Sequence, residues 1–152
     1  MKRNLTICLV CLLGINGFAQ ITIGNTTLQE REVIGNLNIP WEIKWGPDNY
    51  IWMTERPGIV SRVNPETGEK HVILDIQPDV WNSNESGLLG MEIHPDFENQ
   101  PYVFLAYTYL NSGAKEKIVA YEYDIENDEL IKKKLDNCLG QIGSAILCIG
   151  ET

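Results

Sequence analysis

Short runs in which apolar and polar residues alternate, separated by turn residues, recur along most of this chain. Alternation at every second position is typical of β-strands with one buried face, and no window has the three-and-four apolar spacing of an amphipathic helix. The pattern therefore predicts an all-β fold. Eight strands are expected, over residues 42–45, 50–55, 59–64, 71–76, 88–93, 102–109, 118–123 and 130–135.

These strands form two sets of four that repeat at a fixed distance. Pro47-Asp48 and Pro95-Asp96 each follow an apolar strand, precede a strand rich in aromatic residues, and stand 48 residues apart. Four antiparallel strands that recur roughly every 40 to 50 residues are the make-up of β-propeller blades. The sequence therefore predicts blade 1 over residues 37–80 and blade 2 over residues 81–136.

Two blades do not close a ring, because propellers have at least about four blades. Residues 20–36 form a lead-in to blade 1, and residues 31–37 are predicted to form an additional outer strand of the kind that closes the ring. In a chain of two blades, exposed strand edges would invite pairing with other chains. We therefore expect marginal folding of these blades alone, with self-association or aggregation through their open edges.

Residues 1–19 have the pattern of a secretory signal peptide. A basic start precedes an apolar run over residues 5–14 that is too short to span a bilayer, and small residues follow it. We expect cleavage between Ala19 and Gln20, no membrane span, and a secreted or periplasmic protein. The formal net charge of −9 argues against nucleic acid as a partner, because the phosphate backbone repels an acidic protein.

The four cysteines lie at the two ends of the chain. Cys8 and Cys11 fall inside the predicted signal peptide, and a lipoprotein anchor at either of them is the alternative to simple cleavage. Cys138 and Cys148 remain in the mature chain, where an oxidising compartment would allow them to form a disulfide.

Both histidines and several acidic residues have a structural interpretation. His94 lies in a Pro-Asp turn, where an imidazole usually caps the turn, and His71 opens an outer strand at the surface. Glu55 and Arg56 suggest an ion pair that steadies blade 1. A further acidic run consists of Asp124, Glu126, Asp128 and Glu129. This run lacks the glycine and the ligand spacing of a dedicated calcium loop, so a solvated hairpin tip is favoured.

The polar residues 77–86 lead to Gly87 and Gly90, which permit close backbone approach at the start of an inner strand. Six motifs follow one another along the chain: Leu37-Asn38-Ile39-Pro40-Trp41, Trp45-Gly46-Pro47-Asp48-Asn49, Ile51-Trp52-Met53-Thr54-Glu55-Arg56, Arg62-Val63-Asn64-Pro65-Glu66-Thr67-Gly68, Gly87-Leu88-Leu89-Gly90 and His94-Pro95-Asp96-Phe97. With these motifs the chain resembles, from about residue 33 to residue 136, the soluble quinoprotein glucose/sorbosone dehydrogenases, also called aldose sugar dehydrogenases.

The resemblance implies a six-bladed β-propeller that binds pyrroloquinoline quinone (PQQ) and calcium. Such an enzyme oxidises an aldose at its anomeric carbon by hydride transfer, with a histidine as the base, and passes the electrons to an acceptor. The resemblance makes Glu85 and Trp41 candidate residues for binding the cofactor or the substrate. The alternatives are a solvated loop acid and an ordinary packed tryptophan. Most ligands of PQQ and calcium would lie outside this chain.

Residues 137–152 depart from the family, because they contain no histidine where the family carries its base. We interpret this tail as the result of truncation or a frameshift, and we expect this N-terminal part of a sugar dehydrogenase to be inactive alone, with no catalytic residue of its own. Two other functions stay open on the same scaffold. One is a non-catalytic propeller that binds a carbohydrate or a protein, and the other is a propeller lactonase.

Overall fold

The computed structural model describes residues 21–132, 138–142 and 145–148. The chain divides into two units between Arg31 and Glu32. In the first unit, β1 (Ile21–Ile23) and β2 (Thr26–Leu28) form a small antiparallel hairpin. No helix among the described residues is long and apolar enough to cross a membrane. The predicted signal peptide lies outside the described residues.

The first sheet of the second unit contains four antiparallel strands in chain order. They are β3 (Pro40–Trp45), β4 (Ile51–Glu55), β5 (Ile59–Val63) and β6 (Lys70–Asp75). Turn residues fix the hairpins between them: Asn49 has a φ of 63°, and the side chain of Asn64 accepts from the backbone N–H groups of Glu66 and Thr67 at 2.8 and 3.1 Å. The strands predicted for blade 1 are thus confirmed.

The second sheet begins with β7 (Leu88–Ile93), β8 (Tyr102–Leu110), β9 (Ala114–Asp124) and β10 (Glu129–Lys132), again antiparallel in chain order. A single 3-10 turn, Gln77–Asp79, joins the two sheets. These are the strands predicted for blade 2, although β9 begins four residues before the predicted start at Ile118.

Two further strands, β11 (Cys138–Ile142) and β12 (Ala145–Cys148), form a hairpin, and β12 runs parallel to β9. Their register sets position 138 opposite position 148. The side chains there lie outside the described part, so the disulfide between Cys138 and Cys148 stays a prediction. The interpretation of residues 137–152 as a departure from the family also stays a prediction.

The strand predicted over residues 31–37 is wrong, since these residues form no strand. Asn36 and Ile39 have φ values of 58° and 55°, which interrupt the extended backbone that a strand requires. Val33 lies against the first sheet instead, since a Cβ atom at Gly68 would lie 2.3 Å from its carbonyl oxygen. Just after the segment, the backbone N–H of Asn38 donates to Glu55 Oε2 at 2.6 Å.

The hydrophobic core lies between facing sides of the two sheets. At its centre Trp52 makes edge contacts with Phe97 and Tyr123, with ring centroids 5.7 and 5.2 Å away. The remaining buried members are Val60, Ile73, Ile76, Val80, Leu88, Met91, Val103, Leu105, Tyr107, Tyr121 and Leu130. The first strands of the sheets, β3 and β7, contact each other, and so do the last strands, β6 and β10. This is the inner-to-inner and outer-to-outer arrangement of neighbouring propeller blades.

Candidate functional site

The starts of the two inner strands meet at Arg56, the residue that follows β4. The backbone N–H of Arg56 donates to the carbonyl of Ile39 at 3.0 Å, and the N–H of Leu88 donates to the carbonyl of Arg56 at 2.8 Å. Ile39 precedes β3 and Leu88 opens β7, so the backbone of one residue joins both inner strands. We call Arg56 with residues 39–41 and 81–88 the Arg56 rim.

Gly87 allows the close approach at this rim. A Cβ atom at Gly87 would lie 2.3 Å from Arg56 Cγ and 2.6 Å from the Arg56 carbonyl oxygen. The φ of Gly87 is 151°, a value that L-residues rarely adopt. The predicted role of this glycine is therefore confirmed. Thr108 anchors the same loop from β8, because its Oγ1 accepts from Gly87 N at 2.8 Å and donates to the carbonyl of Trp81.

Both candidate binding residues lie on the Arg56 rim and are exposed. Glu85 sits in a turn in which Ser86 N donates to the carbonyl of Ser83 at 3.0 Å. Trp41 is the second residue of β3, and 46% of its surface is accessible. Each is within two residues of a group bonded to Arg56. Two side chains from different blades thus share one rim, where both are open to a ligand.

The two histidines have the positions expected of structural residues. His94 Nδ1 accepts from the backbone N–H of Asp96 at 3.1 Å, which confirms the predicted turn cap. His94 follows the end of β7, at the opposite end of this strand from Gly87. His71 is exposed at the surface as predicted, with its Nε2 3.5 Å from a carboxylate oxygen of Glu69.

The predicted ion pair between Glu55 and Arg56 is wrong. Neighbouring residues at the end of a strand direct their side chains to opposite faces of the sheet. Glu55 is buried and pairs across the sheet with Lys70. Arg56 reaches the other way, and its Nη1 donates to the carbonyl of Asn84 at 2.6 Å. Glu55 therefore stabilises blade 1, whereas Arg56 belongs to the rim.

The acidic run at residues 124–129 was predicted to be a solvated hairpin tip, and this holds for only part of it. Asp124 accepts from the side chain of Asn127 at 2.8 Å and from its backbone N–H at 3.2 Å, and these bonds hold the pKa of Asp124 below its usual value. Asp128 differs, because it pairs with Arg62 and accepts from the hydroxyl of Tyr123 at 2.8 Å. The prediction of a solvated acid is therefore wrong for Asp128.

Arg62 is the charged residue that sequence reasoning missed. On one side it binds Asp48, with Nη2 2.6 Å from Oδ2, and on the other it binds Asp128 of blade 2. Its guanidinium carbon lies 4.3 Å from the ring centroid of Tyr50. The sequence offered one signal for this role, an arginine within the mostly apolar strand Ile59–Val63.

Electrostatics at this cluster follow from partial burial. Burial alone would lower the pKa of Arg62, but its bond to Asp128 and the charge of Asp48 outweigh it, so the pKa is raised. Burial and the bond to Asp128 likewise raise the pKa of Tyr123. Both groups keep their ordinary protonation states at neutral pH. Arg62 is therefore a permanent positive charge between the carboxylates of the two blades.

A second feature lies at the other end of the inner strands, away from the rim. A cleft of about 700 Å³ is lined by Lys44, Trp45, Gly46, Pro47, Glu92, Ile93, His94, Pro95, Asp96, Phe97 and Glu98. Lys44 Nζ donates to Glu92 Oε2 at 2.8 Å and links β3 to β7 there. That bond raises the pKa of Lys44. Residues of both Pro-Asp turns, Pro47, Pro95 and Asp96, line this cleft.

Known proteins are similar to this chain in sequence. The sequence model of the glucose / sorbosone dehydrogenase family matches residues 37–138. Quinoprotein glucose dehydrogenase B of Acinetobacter calcoaceticus is 38% identical over 141 residues, which cover 81% of this chain and 29% of that protein. The aldose sugar dehydrogenase YliI of Escherichia coli K12 is 28% identical over 125 residues, covering 82% of this chain and 32% of that protein.

Solved structures agree with the sequence comparison. The PQQ-bound aldose sugar dehydrogenase of Streptomyces coelicolor superposes with a TM-score of 0.60 at 28% identity, covering 67% of this chain and 30% of that structure. The chain thus spans about a third of the length of its relatives. Its two sheets are blades of a β-propeller, and the chain belongs to the glucose/sorbosone dehydrogenase family.

Proposed function

We propose that this chain supplies the first two blades of an exported, PQQ-dependent sugar dehydrogenase that oxidises an aldose at its anomeric carbon. Family membership supports the reaction class, and a relative with bound PQQ supports the cofactor. The observation that carries the proposal is the Arg56 rim, where Glu85 and Trp41 from two blades are both exposed at the starts of the inner strands.

At this rim Glu85 accepts a hydrogen bond from a sugar hydroxyl, and Trp41 covers an apolar face of the sugar ring. Carboxylates orient hydroxyl groups because an ionised carboxylate only accepts hydrogen bonds. Aromatic rings combine a large apolar surface with few rotatable bonds. These residues bind and orient the sugar, and no residue of this chain is assigned as the catalytic base.

The described residues fit the sugar better than they fit the cofactor. PQQ carries carboxylates that need cationic partners, and Arg56 already donates to Asn84. Calcium takes about six to eight oxygen ligands, and no group of three His, Cys, Asp or Glu residues in the described ranges could hold a metal ion. PQQ, when bound, would supply the acceptor for the hydride. We propose that most ligands of PQQ and calcium come from protein beyond this chain.

A chimera tests the proposed function. Residues 37–136 would replace the matching blades of the Acinetobacter enzyme, and dye reduction would be measured with PQQ, calcium and an aldose. We expect aldose-dependent reduction that requires PQQ. Glu85→Gln should raise KM for the aldose about tenfold, the cost of a lost charged hydrogen bond, whereas Glu129→Gln, at an exposed acid on β10, should leave KM unchanged.

The other two functions are outcomes of the same experiment. A folded chimera that binds PQQ but reduces no dye contradicts the dehydrogenase. Sugar binding without turnover would then identify a carbohydrate-binding propeller, and hydrolysis of a lactone would identify a lactonase.

A further inference from the structure

Arg56 contacts the loop that carries Glu85 at two points, one before Glu85 in the sequence and one after it. Its Nη1 donates to the carbonyl of Asn84 at 2.6 Å, and its own carbonyl accepts from Leu88 N at 2.8 Å. These bonds fall one residue before Glu85 and three residues after it. A single arginine therefore fixes the segment in which the candidate sugar-binding carboxylate lies.

The side chain of Arg56 is oriented mainly by packing. Gly87 approaches so closely that an added Cβ would lie 2.3 Å from Arg56 Cγ and 3.3 Å from Cδ. Its Nε is buried and has no acceptor among the described residues. An arginine stem confined by backbone on one side points its planar guanidinium in one direction. Arg56 therefore reaches Asn84 with little loss of rotamer freedom.

The turn that Arg56 contacts depends on this support. Asn84 has a φ of 55°, in the left-handed region that costs free energy for residues with a side chain. The turn is closed by the bond from Ser86 N to the carbonyl of Ser83, at 3.0 Å. A charged donor on the Asn84 carbonyl offsets the backbone cost, since charge-assisted hydrogen bonds are the stronger ones.

We propose that Arg56 is a positioning residue that holds the turn 83–86, and with it the carboxylate of Glu85, in the orientation that receives the sugar. Arg56 acts through the turn and does not itself touch the substrate. The identification of the ligand as a sugar rests on the proposed function above, whereas the ordering of the turn by Arg56 does not.

Hydrogen exchange on the 152-residue chain tests the ordering of the turn. In Arg56→Gln the amide of Ser86 should exchange about tenfold faster, because the turn loses its charged hydrogen bond. The Leu88 amide should change less, since its acceptor is the backbone of Arg56, and Arg56→Lys should give an intermediate rate for Ser86. Lys132→Gln, which removes a positive charge from an exposed position on β10, should have no effect.

A second variant disturbs Arg56 without changing its chemistry. Gly87→Ala should displace the Arg56 stem and reproduce the faster exchange at Ser86. An unchanged Ser86 rate in either variant overturns the proposal. So does an increase that the core strand β8 shares at Val103 and Leu105, because it would indicate general loss of structure.

Kinetics in the chimera separate positioning from a merely structural role. Arg56→Gln should raise KM for the aldose about tenfold while kcat stays within about twofold, and Arg56→Lys should recover part of the loss. A lowered kcat with unchanged KM overturns the proposal. If the unmodified chimera is inactive, the proposed function fails, and the exchange rate of Ser86 still decides whether Arg56 orders the turn.

Discussion

At the scale of single residues, Arg62 makes the most concentrated set of contacts between the blades. Its guanidinium binds carboxylates from both sheets, and its Nη1 also donates to Tyr123 OH at 2.6 Å. Asp48 in turn accepts from Trp52 Nε1 at 2.9 Å. The guanidinium of Arg62 and its partner Asp48 therefore link a surface turn, the core tryptophan and the outer hairpin of blade 2.

Arg62→Gln should lower the free energy of unfolding by about 2 kcal/mol, which lies between the typical losses for breaking an exposed and a buried salt bridge. The physical reason is that Asp48 and Asp128 would remain partly buried and close together without a cation. Arg62→Lys should lose less, because it keeps the charge but not the planar fork. Denaturant unfolding measures the change.

Lys132→Gln is the control for Arg62, since it removes a positive charge from an exposed position on β10. Its unfolding midpoint should match that of the unmodified chain. Equal stability of Arg62→Gln and Lys132→Gln would show that the cluster contributes nothing to the association of the blades.

At the scale of elements, one buried hydroxyl binds the loop between the two sheets at two points. Thr108 is 4% exposed, and its Oγ1 satisfies both Gly87 N and the carbonyl of Trp81. Thr108→Val keeps the shape but leaves a buried N–H without its acceptor, at a cost of about 1–3 kcal/mol. Urea unfolding of the two proteins should show this loss.

Thr27→Val is the matched control, because Thr27 is exposed in the hairpin of the first unit. This substitution should change the free energy of unfolding by less than about 0.5 kcal/mol. A Thr108→Val protein as stable as this control would contradict the role given to the hydroxyl.

The elements that the sequence predicts correctly are those set by local chemistry. Strand alternation, the Pro-Asp turns and the His94 cap all depend on residues a few positions apart. The Arg62 cluster could not be predicted in this way, since its partner Asp128 is 66 residues away. Residues 31–37 are apolar enough for a strand, but the positive φ of Asn36, which interrupts it, has no hydrophobic signature.

At the scale of the whole molecule, one face of β3 stays apolar and exposed. Ile43 and Trp45 share this face and are each 62% exposed, and Trp41, next to a register shift between Pro40 and Ile43, is 46% exposed. The strand register places Val72, which is 54% exposed, on the same face as Ile43, whereas Met53 and Ser61 between them are buried. β3 is also the end strand of its sheet. An apolar face beside an unpaired edge favours contact with a second copy of the chain.

We expect this chain on its own to self-associate, and Ile43→Lys to raise the dissociation constant about tenfold. Burial of an isoleucine contributes about 1.5–3 kcal/mol, and about 1.4 kcal/mol corresponds to a factor of ten. Sedimentation velocity over a range of concentrations measures the constant. Ile125→Lys makes the same change at an isoleucine that is 81% exposed in a turn, and it should leave association unchanged.

An unmodified chain that stays monomeric at every concentration would contradict the prediction, as would equal effects of the two substitutions. In the chimera a further blade should cover β3, so Ile43→Lys should there reduce stability and leave the protein monomeric.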